Sequence, residues 1–468
     1  MKPLSAILDH IDGEVDRSVD RLFKLVRIPS ISTDPQYRAE CRKAGQYLVD
    51  ELDRMGFAAS LRDTPGHPMV VAHYAPPAAG PKSPHALFYG HYDVQPADPV
   101  DRWTSPPFEP QRRRDRDGVE RLYGRGTADD KGQLMTFIEA FRAWLATGNS
   151  LPSRITVLIE GEEESGSPSL EPFLRSNRAE LRCDAAFVCD TDMWDKRTPA
   201  ITTRLRGIVH EEVTVTGPRI DLHSGLFGGA AMNPIRVLSR VLSSLHDRNG
   251  KVAVPGFYDG VSELPAATKR QWRSLKFSEK RFLGGVGLRI PAGERGRMVL
   301  EQIWSRPTLE FNGILGGYTG KGTKTVLPSQ ASAKISFRLV GEQDPNAVRA
   351  AFRTHVRALI PGDCKVTFAG RAASPAIVVA EDSPMLAMAA AALQEEFGRE
   401  TILKGSGGSI PVVSSFKRIL GMDSVLVGFG LDDDAIHSPN EKYDLSSYHR
   451  GIRSWARVLA KLGQQPRQ

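Results

Sequence analysis

Apolar residues recur along this chain at two spacings, and the switch between them outlines the fold. Over residues 7–28, Val15, Val19, Leu22, Phe23 and Val26 recur at helical spacing and Pro29 closes the run, which predicts one amphipathic helix. Apolar runs at 68–74 and 86–90, bounded by proline and glycine, predict short buried strands. Leu134, Phe137, Ile138, Phe141 and Leu145 fall on one face of a helix over 132–146. Strands are predicted over 154–160 and 185–189. Strands alternating with helices imply an α/β sheet covered on both faces.

The period changes near residue 209. Residues 210–216 alternate apolar with polar, as a half-exposed strand does, and a helix is predicted near 234–246. Residues 332–340 alternate cleanly, with Ala333, Ile335, Phe337 and Leu339 on one face. That mix implies an open-faced antiparallel sheet in a second domain. The first pattern then returns, with a helix over 384–397, a strand over 424–428 and a helix over 447–462. The predicted organisation is a main α/β domain in two pieces, residues 1–208 and 385–468, with a smaller α+β domain inserted over 209–384.

Composition changes little in this picture. A chain of 468 residues is too long for one core, and its 40% hydrophobic and 25% charged residues are ordinary for a globular protein. The net charge of +7 suggests nucleic acid, but the densest basic stretch, Arg112 to Arg114, is followed by Asp115 and Asp117. No basic run is interleaved with aromatics, so no nucleic-acid partner is expected. Cys41, Cys183, Cys189 and Cys364 form no CxxC pair, which argues against a cysteine zinc site and suits a reducing compartment. The first residues carry acids throughout and lack the apolar core of a signal peptide. With no apolar stretch of about 18 residues, a cytoplasmic location and no membrane partner are expected.

Candidate chemistry gathers where strands end, the usual place for ligands on an α/β sheet. In GHYDVQP, His91 and Asp93 point to one side of an extended segment, so the carboxylate can accept the second imidazole N–H. A polar loop would look the same. In YGRGTADDKG, Asp129 stands just before a helix, where an N-cap and a bridging metal ligand are both open. In EGEEESGS, acids crowd the end of an apolar strand and repel one another unless a cation intervenes or some stay protonated. Asp190 follows the strand AAFVC, with Asp192 as rival, and His437 lies in IHSPNE. Two histidines and several carboxylates without thiolate suit zinc, and also manganese or cobalt.

These segments, with DLHSG and GGYTGKGTKTVLP, occur in the order seen in the M20 metallopeptidases, and most resemble their carnosine-dipeptidase-like branch. The resemblance implies a zinc-peptidase-like α/β catalytic domain carrying an inserted lid and dimerisation domain. It implies two divalent ions, with zinc expected first. His91 and Asp190 would hold one, Glu164 and His437 the other, and Asp129 would bridge them, its peptide bond to Asp130 being cis. Asp93 would orient His91, and Glu163 would serve as general base for a water shared by the ions. His223 in DLHSG would reach the active site of a homodimeric neighbour. Thr325, Arg338 and Ser409 would contact substrate, Arg338 through a bidentate grip on a carboxylate. The implied activity is hydrolysis of dipeptides, and the alternative is deacylation of N-acyl amino acids at the same centre.

Two departures from the family pattern stand out. Glu162 replaces a more usual apolar residue, although alignment from Ser165-Gly166 still selects Glu163 and Glu164. Counting forward from the acid run selects Asp192, whereas counting back from Pro199-Ala200-Ile201-Thr202 selects Asp190. Asp190 is taken here because it lies at the strand end.

Overall fold

The run RITVLIE is buried from Ile155 to Glu160, so it needs cover on both faces. It lies in a mixed sheet whose strands stand in the order Ala58–Arg62, Met69–Tyr74, Arg154–Glu160, His85–His91, Ala185–Val188, Asp423–Val427 and Ala200–Leu205. The middle four run parallel, and the strands flanking them are antiparallel. The helix Lys131–Ala146 packs against this sheet and against the helix Leu445–Leu462 and is buried nearly all round. Phe88 meets Phe137, Phe141 and Trp455 there, and the Trp455 indole donates to Thr136 Oγ1 at 3.0 Å.

This computed structural model describes residues 2–77, 79–80, 83–408 and 410–464, apart from the side chains of residues 371 and 372. The chain forms two compact units. One comprises Met1–Thr203, Val379–Lys404 and Pro411–Gln468, and the other Arg204–Val378 with Gly405–Ile410. The helix expected over 7–28 is two helices, Leu4–Gly13 and Val15–Val26. Gly13 is a poor helix former, and at Glu14 the backbone leaves the helical region, with φ −108° and ψ 9°.

The second unit contains a four-stranded antiparallel sheet in the order Thr308–Gly316, Gln330–Leu339, Gly207–Thr216, Lys365–Ser374. Every second residue of Gly207–Thr216 is buried. The helices Pro234–Ser244 and Pro345–Ala358 cover that face, and Val209, Val213, Ile335 and Phe337 form its core with Val241 and Phe352. Glu211 falls on the same apolar face with no exposure, where Arg349 and Arg353, one helical turn apart, hold its carboxylate. The opposite border strand, Thr308–Gly316, leaves Ile314 65% and Leu315 67% exposed. No helix among the described residues is long and apolar enough to cross a membrane.

Candidate metal centre

The parallel strands end together, and their ends carry the site. His91 is the last residue of its strand and is 1% exposed. Its ring Nδ1 lies 3.1 Å from the Asp93 carbonyl and 3.3 Å from Asp93 Oδ1. A proton on Nδ1 satisfies both, so Nε2 is the nitrogen that would bind a metal once its own proton, shared with Asp129, is displaced. That Nε2 faces Asp129 Oδ1 at 3.2 Å and Asp190 Oδ2 at 4.0 Å. Gly90 is required beside it, since a Cβ there would stand 2.7 Å from Asp130 Oδ2, which accepts the His91 N–H at 3.0 Å.

The second half of the site is built on turns. Glu163 and Glu164 open a short 3-10 turn after the strand Arg154–Glu160. The fully buried Asp93 carboxylate accepts the N–H of Glu163 at 3.2 Å and of Glu164 at 3.0 Å, so one side chain fixes both the histidine and the acid turn. Gln95 donates to Glu164 Oε2 at 2.7 Å. His437 projects from the loop after Asp423–Val427, and its Nε2 lies 2.9 Å from Asp129 Oδ2 and 3.2 Å from Glu164 Oε1.

Two triads result, His91–Asp129–Asp190 and Asp129–Glu164–His437, each with ligand atoms within 4.8 Å of one another. Asp129 belongs to both and turns one oxygen to each histidine. Its bond to Asp130 is cis. It does not cap the helix that follows: Asp130 holds the N-cap position and makes no side-chain cap bond.

The electrostatics fit a cation. Burial and the neighbouring Asp129, Glu163 and Glu164 push Asp190 well above the carboxylate range, the nearby His91 opposing them in part. Burial, with Glu164, Asp93 and Asp129, raises Glu163 to about 7 against the pull of His91. Burial also works against ionised Asp129, but hydrogen bonds from His437 and His91 outweigh it and hold that carboxyl low. Bonds to Asp129 and Glu164 raise His437 to about 10. The nitrogen and oxygen donors, and acids crowded until some resist ionisation, are the residues a pair of divalent ions would need.

The other acids of these motifs point elsewhere. Glu162 is buried, and its carboxylate accepts the N–H of His67 at 2.9 Å and of Ser169 at 3.2 Å. Asp192 is paired with Lys404.

Three of the expected substrate residues lie in the second unit. His223 and Thr325 are exposed, and His223 pairs with Val326 in a two-stranded ribbon. Arg338 is half-buried on its strand beside Arg206, which burial and Arg338 push down to about 10. Arg206 carried no sequence signal. Ser409 lies outside the described residues.

The model of peptidase family M20/M25/M40 matches residues 87–461. The chain is 30% identical to Cys-Gly metallodipeptidase dug1 of Schizosaccharomyces pombe, covering 98% of each chain. It is 30% identical to the Beta-Ala-His dipeptidase of Homo sapiens, over 98% of this chain and 93% of that one. Among solved structures, an M20 family metallo-carboxypeptidase, Sso-CP2 from Sulfolobus solfataricus, superposes with TM-score 0.81 at 28% identity, over 96% of this chain and 99% of that one.

Proposed function

The chain belongs to peptidase family M20/M25/M40, and from that premise we propose that it is a two-metal dipeptidase with Glu163 as general base. The observation that carries this reading is the pair of ligand triads sharing Asp129. The names of the relatives, two of them dipeptidases, support the substrate class. Zinc is the first choice of ion, with manganese or cobalt as alternatives. Ions bound there would supply Lewis acidity, polarising the scissile carbonyl and activating water near neutral pH.

The residues around them would do the rest. Asp93 holds the Nδ1 proton of His91 and keeps the ring in its ligand orientation. Glu163, raised to about 7, is suited to take a proton from the attacking water and return it to the leaving amine. Arg338, with Arg206 beside it, would receive the free carboxylate of the substrate, a task for planar bidentate donors. Thr325 and Ser409 would add substrate contacts. His223 would steady the carbonyl oxygen of a substrate held by a partner subunit. A homodimer is supported by the border strand of the second unit, on which Phe311, Ile314 and Leu315 stand exposed. The four cysteines are free and buried, in keeping with a reducing cytoplasm.

The direct test is a hydrolysis panel on chelator-stripped protein reloaded with zinc or manganese. It holds free-amine dipeptides, β-alanyl dipeptides, tripeptides and N-acetyl or N-succinyl amino acids. Metal-dependent cleavage of dipeptides is expected. Turnover of the N-acyl compounds alone would move the chain to deacylation. Preference for longer peptides would favour a carboxypeptidase, the reading that Sso-CP2 suggests.

Metal affinity should also depend on pH. Because bonds to Asp129 and Glu164 raise His437 to about 10, its imidazole is protonated at pH 7 in the metal-free chain. A metal requires the neutral ring, so binding must displace that proton. Affinity should therefore weaken as pH falls from 8 to 6, by up to about tenfold per unit for each proton displaced. Competition with a chelating dye reads this directly, and a flat profile would contradict the protonated state assigned to His437.

A further inference from the structure

Of the charged groups around the centre, one buried pair takes no part in the chemistry above. Arg125 and Glu441 are 1% and 0% exposed and meet at 2.7 Å. Glu441 stands four residues after His437, and Arg125 four residues before Asp129. The Glu441 carboxylate has four donors. Oε2 accepts from Arg125 Nη1 at 2.7 Å and from the Gly126 N–H at 2.9 Å. Oε1 accepts the N–H of Ala128 at 2.8 Å and of Asp129 itself at 3.1 Å. Arg125 completes the knot from the other side: its Nη2 reaches the Pro96 carbonyl at 3.2 Å and the Ser438 carbonyl, next to His437, at 3.5 Å.

We propose that the Arg125–Glu441 pair is the positioning device of the metal centre, setting Asp129 and His437 in register before any ion arrives. The proposal rests on the metal-centre reading above and adds residues to which that reading gives no role. The physical case is one of loop control. His91 extends from the end of a sheet strand, but Asp129 and His437 sit on loops, and His437 is 54% exposed. His437 also has φ +60°, between Ala435 at +54° and Asn440 at +63°, three non-glycine residues in the left-handed region. A loop in that conformation persists only where its surroundings hold it. A buried carboxylate that takes three backbone N–H groups of one loop, while its own backbone belongs to the other, fixes the distance between them. Its counter-charge, Arg125, grips both the ligand loop at Ser438 and the segment that follows Asp93. The pair's hydrogen bonds to the ligand loops all go to backbone groups, so it sets the position of the ligands from behind, as supporting groups around metal ligands act.

The experiment has two arms. In the wild-type chain stripped of metal, hydrogen–deuterium exchange at Gly126, Ala128 and Asp129 should already be slow, because Glu441 rather than an ion holds these amides. Free exchange that slows only on adding zinc would overturn the proposal. In the second arm, Glu441→Gln keeps the shape and loses the charge. Its zinc affinity by dye competition, measured below the melting transition, should fall about 10–100-fold, and the spectrum of the cobalt-loaded protein should change. The melting temperature of the metal-free protein should also fall, because the amide NH2 faces donors and Arg125 loses its counter-charge. Wild-type affinity and an unchanged spectrum would also overturn it. Should Glu441→Gln fail to fold, the exchange arm decides alone. A wild-type chain that binds no zinc would instead count against the metal-centre reading.

Discussion

Glu163→Gln should lower kcat by roughly 10²–10⁴-fold, the range that a positioned general base contributes, while leaving the metal content of the protein intact. Glu163 belongs to neither ligand triad, so its loss removes no donor. Its backbone is held from behind by Asp93, and glutamine keeps that N–H and nearly the same volume, so the turn should survive. What disappears is a carboxyl raised to about 7 by burial and by Glu164, Asp93 and Asp129. Such a group can both accept and release a proton near neutrality, whereas an amide can do neither. KM should change little, because substrate is held elsewhere. Measured together, kcat and bound metal separate the roles: loss of metal would make Glu163 a ligand, and unimpaired turnover would remove it from the chemistry.

Asp129→Asn should cost both metal and activity, taking hydrolysis to background. Asp129 is the residue common to the two triads, with Oδ1 toward His91 and Oδ2 toward His437. Asparagine offers one oxygen and an NH2 that donates, so one of the two pockets would face a donor where it needs an acceptor. The same change removes the anion that holds both imidazoles. Metal content by mass spectrometry and turnover should fall together. His437→Ala should be milder in metal content, because His91, Asp129 and Asp190 remain. If Asp129→Asn retained full metal, the bridging role would be wrong.

Much of this arrangement was legible in the sequence, for a physical reason. Buried parallel strands read as continuous apolar runs, and polar side chains gather at their ends, so His91, Asp190 and the acid run that holds Glu164 were readable as strand-end candidates. Asp129 and His437 sit on loops, and the choice of ligands among all these came from the resemblance to the M20 metallopeptidases. Local pattern failed where a choice depends on partners far away in the chain. Glu162 looks as good a site acid as its neighbours, but His67 and Ser169 claim it. Asp192 competes with Asp190 on paper, and its partner Lys404 lies 212 residues away. Glu211 breaks an alternating strand because two arginines on a later helix await it. Arg125 and Glu441 stand inside quoted motifs, but a buried ion pair between loops leaves no periodic mark. The single helix read over 7–28 failed on a weaker signal, a glycine within a good amphipathic pattern.

The central claim is that two ions share Asp129 and act together, and metal titration tests it most directly. Stripped protein would be reloaded stepwise with zinc while dipeptide hydrolysis and bound metal are followed. Two ions per chain are expected, with no turnover in the stripped protein and full turnover only when both pockets are filled. Full activity with a single ion per chain, or activity in the stripped protein, would contradict the account.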